Sequence, residues 1–193
     1  MPVTNRYYGG TSTGAGRIVS DFGLCDIKGG YIYTAKLRPK GLLVVAFFSP
    51  DTAASVNVLK AVQEWTGEIE ASKWSALGVA TGDREELKKF ADANGIDKVS
   101  LLVDYDFYQT RSWGISHIPS LYIISGKTGR ILDRVVGDKP SELQSAKELL
   151  SGEVSAILAA EAAARKAEEE KKAAEAAAKA AEAAAKPAEP AKA

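Results

Sequence analysis

The sequence has few of the residues that most redox and metal sites require. Among its 193 residues there is one cysteine, Cys25, and one histidine, His117. A single cysteine excludes an internal disulfide and a cysteine-rich metal site, and a single histidine excludes a multi-histidine zinc or iron centre. We therefore predict that the protein holds no metal and no cofactor.

The sequence also lacks an excess of charge of either sign and a long hydrophobic run. Its 25 basic and 25 acidic residues cancel, so no long-range field favours nucleic acid or an anionic membrane. The longest apolar run, residues 41–48, is too short to cross a bilayer. Residues 1–6 lead into Tyr, Gly, Ser and Thr and not into the apolar core of a signal peptide. These features predict a cytoplasmic protein that binds no nucleic acid and does not insert into a membrane.

The composition changes twice along the chain and divides it into zones. Residues 1–17 are rich in Gly, Ser and Thr and predict a flexible N-terminal segment. Residues 18–150 alternate strand-like and helix-like patterns and predict a globular domain. Residues 151–186 consist mostly of Ala, Glu and Lys and predict a helix, and residues 187–193 are predicted to be disordered.

The middle zone has the pattern of an α/β sandwich. The run 42–48 is β-prone and apolar throughout, which is typical of a strand buried on both faces. A helix is predicted after it, with Asp51 or Thr52 as N-cap. Alternation of strands and helices, followed by a hairpin and a last helix, predicts a central sheet with helices on both faces. The further predicted elements are strands at 74–80 and 99–103, a helix with a capping box from Asp83 that stops at Gly95, a helix at 107–113, a hairpin of 121–124 and 131–135, and a helix from Pro140 to Leu150.

Several motifs occur in an order that resembles a known family. They are DFGL at 21–24, GGYI at 29–32, LRPKG at 37–41, LLVVAFFS at 42–49 and WGISHIPSLYII at 113–124. Over about residues 20–150 this order resembles the redoxins, which include thioredoxin-like thiol–disulfide oxidoreductases and the alkyl hydroperoxide reductase/thiol-specific antioxidant proteins. The resemblance implies a thioredoxin-like three-layer α/β/α sandwich with a central mixed sheet, in which Pro119 matches the family's cis-proline. The alternative for Pro119 is a trans proline that opens an edge strand.

The sequence departs from the family at the reactive site. The oxidoreductases carry Cys-x-x-Cys at the first turn of the helix after the buried strand, where exposed N–H groups and the helix dipole stabilise a thiolate. The matching residues here are Thr52-Ala53-Ala54-Ser55. Hydroxyl groups form no disulfide and stay protonated at neutral pH, and an activated serine needs an adjacent base, which this segment lacks. The electron-transfer chemistry is predicted to be absent.

A peroxidase is disfavoured for the same reason. The resemblance places the peroxidatic cysteine of the peroxiredoxins at Ser55, and it places their supporting arginine near the strand that here begins with Pro119. Both elements are missing from this chain. We therefore do not expect an enzyme at the usual redoxin site.

The groove around this site is predicted to remain as a binding surface. If Pro119 is cis and packs against the helix start at Thr52, the backbone of Ile118 can receive an extended peptide. His117 is then a polar residue at the edge of the groove. We predict a redox-inactive module that binds a protein or peptide partner. The predicted binding residues are Asp51, Thr52, Ser55, His117, Ile118 and Pro119.

Cys25 is the only thiol that could support another function. We interpret it as a small, partly buried residue, and the alternative is a free thiol that forms mixed or intermolecular disulfides. The second function hypothesis is accordingly a thiol–disulfide oxidoreductase or peroxiredoxin-like antioxidant protein that uses Cys25 or a partner's thiols.

Two smaller predictions concern packing and helix stability. The carboxylates of Asp104 and Asp106 are predicted to interact favourably with the N-terminal dipole of the 107–113 helix. The three tryptophans, Trp65, Trp74 and Trp113, are predicted to pack in the core or at its edge.

The Ala-rich tail carries a seven-residue charge repeat. Glu161, Glu168, Glu175 and Glu182 are each followed four residues later by Arg or Lys. Glu placed N-terminal to Lys at this spacing stabilises a helix, and Ala is the best helix former. A helix from about Glu153 to Lys186, ending at Pro187, is predicted. We favour a solvated single helix, and the alternative is an oligomerisation helix with a weak alanine seam.

Overall fold

The computed structural model describes residues 14–185, apart from the side chains of Lys40, Glu175 and residues 177–185. Within this range the backbone forms seven strands, and buried apolar or β-branched residues make up most of the central ones. The strands are β1 (Gly23–Asp26), β2 (Tyr31–Tyr33), β3 (Leu42–Phe47), β4 (Trp74–Ala80), β5 (Ser100–Val103), β6 (Ser120–Ser125) and β7 (Ile131–Val136).

Five α-helices connect or follow these strands within the described residues, and short 3₁₀ turns lie between some of them. Asp83 caps α3 with a complete capping box, and Gly95 ends that helix in the left-handed conformation. The helices are α1 (Thr34–Leu37), α2 (Ala53–Glu68), α3 (Arg84–Asn94), α4 (Tyr108–Ser112) and α5 (Pro140–Ala185).

The strands form one mixed sheet with the order β2-β1-β5-β4-β3-β6-β7. The three central strands β5, β4 and β3 are parallel, and the outer pairs are antiparallel. In the middle of the sheet Val45 lies between Leu77 of β4 and Tyr122 of β6. Parallel strands require crossover helices on the faces of the sheet, so this order by itself produces a layered structure.

Both faces of the sheet are covered. On one face an aromatic and aliphatic core contains Val45, Phe47 and Tyr122 and is closed by Trp113 after α4. On the other face the helix α2 lies close to the strands over Gly78, where a Cβ atom would come within 3.3 Å of Leu59 and 2.6 Å of Leu101. The absence of a side chain at Gly78 therefore allows α2 to approach β4 closely. The result is a three-layer α/β/α sandwich.

The structure confirms the predicted fold class and most of its elements. The strand at 74–80 and the capping box at Asp83 agree with their predicted positions. Trp65, Trp74 and Trp113 are buried as expected. The strand β1 could not be recognised from the sequence, because its four residues include Gly23 and Asp26 and do not alternate clearly. The 107–113 helix begins one residue later than predicted, since Asp106 and Phe107 both have left-handed backbone angles.

Two predicted boundaries differ in the structure. The closing helix and the Ala-rich helix are one element, α5, because the residues around 151 contain no proline to interrupt them. Gly16 and Arg17, at the end of the predicted N-terminal segment, hydrogen bond to Ile131 of β7. Predictions for residues 1–13, for the end of the helix at Pro187 and for the tail 187–193 lie outside the described residues.

By its internal contacts the chain divides into two compact units. The first extends to Val154 and contains the sheet and the start of α5, and the second begins at Ser155. Within the described residues of the second unit there is only helix. Within the described part of the chain, no helix is both long and apolar enough to span a bilayer.

Candidate functional site

The candidate site lies where β3 ends and α2 begins. The buried strand brings Phe47 and Phe48 to the edge of the sheet, and the chain then turns through Ser49, Pro50 and Asp51. Thr52 is the N-cap of α2 with extended backbone angles, but its side chain does not bond to the helix N–H groups. The predicted N-cap position is therefore correct for Thr52, while its hydroxyl has other partners.

Those partners form a closed ring of hydrogen bonds. The Ser49 N–H donates to Ser55 Oγ at 3.0 Å, and the oxygens Ser55 Oγ and Thr52 Oγ1 lie 2.7 Å apart. Thr52 Oγ1 donates in turn to the Ser49 carbonyl at 3.4 Å. All three bonds are satisfied when Ser55 donates its proton to Thr52. Both hydroxyl protons are then used in structural hydrogen bonds.

The two hydroxyls differ in exposure. Ser55 is fully buried, whereas Thr52 is exposed at the surface of the site. Among the described residues, no carboxylate or imidazole is hydrogen bonded to either oxygen. An oxygen nucleophile requires an adjacent base to remove its proton, so this ring lacks the arrangement that activates serine. Ser49 was not singled out from the sequence, although a serine directly after a buried strand is the signal that could have identified it.

The neighbouring strand brings the second half of the site to the same edge. Phe47 of β3 pairs with Ser120 of β6, which places Pro119 level with Phe48. The Ile118–Pro119 peptide bond is cis, and Pro119 is buried. The sheet register thus brings the predicted residues of the loop and of the helix start to one edge.

Backbone and side-chain hydrogen bonds hold this loop. Ser120 Oγ donates to the His117 carbonyl at 2.7 Å, and the Pro119 carbonyl accepts from the Gly137 N–H at 2.9 Å. Among the described residues, none forms a hydrogen bond with the backbone of Ile118. Ile118 therefore keeps an N–H and a carbonyl group for another partner.

His117 and Asp51 lie at the rim of the site. The His117 ring is exposed, and its Nδ1 shares a hydrogen bond of 2.9 Å with Ser116 Oγ. Asp51 is also exposed, and its backbone N–H donates to Ser49 Oγ at 3.4 Å. Neither side chain contacts the Thr52–Ser55 pair through a hydrogen bond in the described structure. Their role at the edge of a groove stays a prediction.

An aromatic cluster supports the loop from inside the sandwich. The rings of Phe47, Trp113 and Tyr122 lie with their centroids 5.2–5.9 Å apart, mostly edge to face. Such pairs prefer edge-to-face geometry because the ring edge is positive and the face negative. Burial raises the pKa of the Tyr122 hydroxyl, which the nearby Arg134 guanidinium partly offsets. Within the described structure this hydroxyl has no hydrogen bond of ordinary geometry.

The structure does not bring Cys25 to this site. Cys25 lies on β1, between Tyr31 of β2 and Val103 of β5, and β1 is three strands away from β3. With neighbouring strands about 4.8 Å apart, this separates Cys25 from β3 by roughly 14 Å. The thiol is exposed, so the prediction of a partly buried residue was wrong. The physical reason is that side chains alternate along a strand. Leu24 packs against the core, so the neighbouring Cys25 faces the opposite side of β1, where it is exposed.

Asp104 has a larger role than the sequence indicated. Its buried carboxylate accepts hydrogen bonds from the N–H groups of Gln109 and Thr110 and from the Thr110 hydroxyl, at 2.7–2.9 Å. It therefore anchors the start of α4. Asp106, predicted to act with it, instead occupies a left-handed position outside the helix. No group of three or more metal-ligating side chains occurs within residues 14–185.

Comparison with known families agrees with this geometry. The family described as "AhpC/TSA family" matches residues 15–132. The chain belongs to the AhpC/TSA family. This match confirms the resemblance of its motifs to the redoxins at the level of the family. No curated protein sequence matches the chain.

Several solved structures have a similar fold. A putative thiol:disulfide interchange protein DsbE from Chlorobium tepidum has a TM-score of 0.67 at 15% identity, covering 74% of this chain and 99% of its own. The peroxidoxin BcpB from Mycobacterium tuberculosis has a TM-score of 0.62 at 19% identity, covering 75% and 98%. A putative protein disulfide isomerase from Bacteroides thetaiotaomicron has a TM-score of 0.65 at 16% identity, covering 75% and 95%. At these identities the likeness establishes the thioredoxin-like fold alone.

Proposed function

We propose that this AhpC/TSA-family chain has no thiol chemistry at the usual redoxin site and instead binds a protein or an extended peptide there. The observation that carries the proposal is the closed hydrogen-bond ring of Ser49, Thr52 and Ser55. Hydroxyls occupy the two positions at the start of α2 where a disulfide-exchanging protein needs thiols. Because their protons are engaged in the ring, they stabilise the helix start and do not supply a nucleophile.

The loop beside the ring supports a binding role. The Ile118 backbone is free of hydrogen bonds from the described residues, while the groups on either side of it are held by Ser120 and Gly137. A backbone segment whose N–H and carbonyl groups are unused by the described residues suits β-type pairing with an extended peptide. Exposed Asp51, Thr52 and His117 would then contact the peptide side chains.

Binding at this site is tested with two matched threonine variants. Peptides that bind the unmodified chain are selected from a random library, and their Kd values are measured by fluorescence anisotropy. Thr52→Arg places a long cation at the site, and Thr128→Arg places the same cation in the exposed turn between β6 and β7. We expect binding to weaken at least about tenfold, equivalent to about 1.4 kcal/mol, for Thr52→Arg only. Equal binding by both variants, or no selected peptide, would overturn the proposal.

Redox inactivity is tested separately. The unmodified chain and a Cys25→Ser variant are assayed for insulin reduction and for peroxide consumption. We expect no turnover above the uncatalysed rate from either protein. Turnover that disappears with Cys25→Ser would disprove redox inactivity.

One observation favours a second candidate function. Cys25 is exposed, and an accessible thiol can exchange with a disulfide on another molecule. An oxidoreductase or antioxidant protein that works through Cys25, or through a partner's thiols, is therefore the alternative. The same assay separates the two, since the alternative requires Cys25-dependent turnover or turnover that appears when a partner dithiol is added.

A further inference from the structure

Among the described side chains, the helix beyond Val154 shows no buried face. Val154 is 2% exposed and is the last buried residue in the described part of the chain. From Ser155 to Ala176, among the residues whose side chains the structure describes, only Ile157 and Glu161 are partly buried. A helix that packs against a core shows an apolar stripe at helical spacing, and this segment shows none.

The segment nevertheless remains helical through Ala185. Alanine has the highest intrinsic helix propensity, and Glu placed four residues before Lys or Arg adds local ion pairs. One such pair is formed directly, with Glu168 Oε1 and Lys172 Nζ 2.7 Å apart. The sources of helicity are therefore local and need no tertiary contact.

We infer that residues 155–185 form a self-supporting helical spacer, a single α-helix that stays folded in water without packing against a partner. Its 31 residues, at about 1.5 Å each, give a stiff rod of about 46 Å. Such a rod holds whatever is attached at its two ends at a fixed separation. A flexible chain of the same length would give a shorter and widely distributed distance.

A second copy of this chain is the obvious alternative cover for the helix, and the sequence argues against it. The last large apolar residue is Leu158, which is 38% exposed. Beyond it the only apolar residue type is alanine, apart from prolines after residue 186. Stable coiled coils rely on Leu, Ile or Val at repeated seam positions, so an alanine seam offers little to hold two copies together.

The spacer is tested by a distance measured inside the helix of the full-length chain. In a Cys25→Ser background, Ser155→Cys and Ala184→Cys carry spin labels, and their separation is measured by pulsed dipolar spectroscopy. A continuous helix predicts a narrow peak at about 44 Å, whereas a flexible chain predicts a broad distribution centred at about 30 Å. A broad distribution would overturn the inference.

Two further measurements decide what holds the helix. Diluting the labelled protein with excess unlabelled chain should leave the 44 Å peak unchanged, and a peak that broadens on dilution would show a helix that depends on association. A second variant exchanges the charges through Glu161→Lys, Glu168→Lys, Glu175→Lys, Arg165→Glu, Lys172→Glu and Lys179→Glu. Its composition is nearly the same, but Lys now precedes Glu, which is the weaker orientation. We expect a smaller fraction of molecules in the 44 Å peak and a larger fraction in the broad component. An unchanged distance distribution would contradict the role of the Glu–Lys pairs.

Discussion

Two places in this molecule can be compared by the sulfur they hold or lack. At the start of α2 the fold provides a helix N-terminus, a buried strand and a neighbouring proline loop, but the residues are Thr52 and Ser55. On β1 the chain provides a thiol, Cys25, exposed and roughly 14 Å away across the sheet. One place has the setting without the sulfur, and the other has the sulfur without the setting.

The difference shows that position and residue type contribute separately to thiol chemistry. Helix N-terminal N–H groups stabilise a thiolate because their partial positive charge lies close to the sulfur. Cys25 lies in the middle of a strand, where the backbone N–H groups are used in pairing with β2 and β5. A cysteine at the start of α2 is therefore expected to have a larger thiolate fraction than a cysteine on β1. The first prediction tests this difference.

The largest effect is expected from restoring the thiols at α2. In Thr52→Cys/Ser55→Cys, the two side chains lie where their hydroxyl oxygens are now 2.7 Å apart, which suits disulfide formation. A shift of the first thiol's pKa from about 8.5 to about 7 raises the thiolate fraction at pH 7 on the order of tenfold. We expect insulin reduction to appear, measured by turbidity.

The controls for this gain are the two single variants and the unmodified chain, none of which has a second thiol at the site. A folded double variant that forms the disulfide but reduces no insulin would show that the setting at α2 has been lost together with the cysteines.

The next effect tests whether the buried carboxylate of Asp104, at the same end of the parallel strands, stabilises the fold. Asp104→Asn replaces a carboxylate that accepts three hydrogen bonds with an amide whose N–H₂ faces donors. We expect a loss of about 3 kcal/mol, since hydrogen bonds to a charged group are worth about 1.5–3 kcal/mol. Unfolding in urea measures it. Asp106→Asn, at an exposed left-handed position that Asn tolerates, is the matched control, and similar losses in both would be contrary to this interpretation.

A smaller effect compares Ser55 and Cys25 directly by the stability that each side chain contributes. Ser55→Ala breaks the hydrogen-bond ring and leaves the Ser49 N–H without its acceptor, which costs about 1.5 kcal/mol. Cys25→Ser changes an exposed side chain and is expected to stay within about 0.5 kcal/mol of the original. Both are measured by urea unfolding at pH 7. If Cys25→Ser costs as much as Ser55→Ala, the thiol has a structural role that its exposure does not show.

The smallest effect concerns Tyr122, in the aromatic cluster that packs beneath the Pro119 loop. Burial raises the pKa of Tyr122 above its ordinary value of 10.0, so above pH 10 the unfolded chain loses this proton first. The free energy of unfolding then falls as the pH rises from about 10 through the folded-state pKa. Tyr122→Phe is expected to stay within about 1 kcal/mol at pH 7 and to lose this decline. Tyr31→Phe, in an exposed ring, is the control, and an equal change in both would refute the assignment to Tyr122.

Much of the site could be predicted from the sequence because it depends on local order along the chain. The buried run 42–48, the threonine after it and the proline at 119 lie at the positions that the redoxin pattern requires, and the sheet register brings them to one edge. The ring through Ser49 could not be predicted, because it depends on the angle at which the chain turns between Ser49 and Thr52. The anchoring role of Asp104 depends in the same way on the left-handed turn at Asp106 and Phe107.

Cys25 shows most clearly where the sequence was not sufficient. Free cysteine is among the residue types most often buried, but burial on a strand depends on what covers that strand, and β1 joins the sheet next to the short edge strand β2.

The sequence alone determined the fold class, the absence of paired thiols and the helical character of residues 151–185, because periodicity, residue identity and helix propensity are properties of the local chain. Only the tertiary structure decided which strands are neighbours, which hydroxyl is buried and how far the thiol lies from the start of α2. Those outcomes depend on residues that are distant in sequence and meet only when the sheet forms.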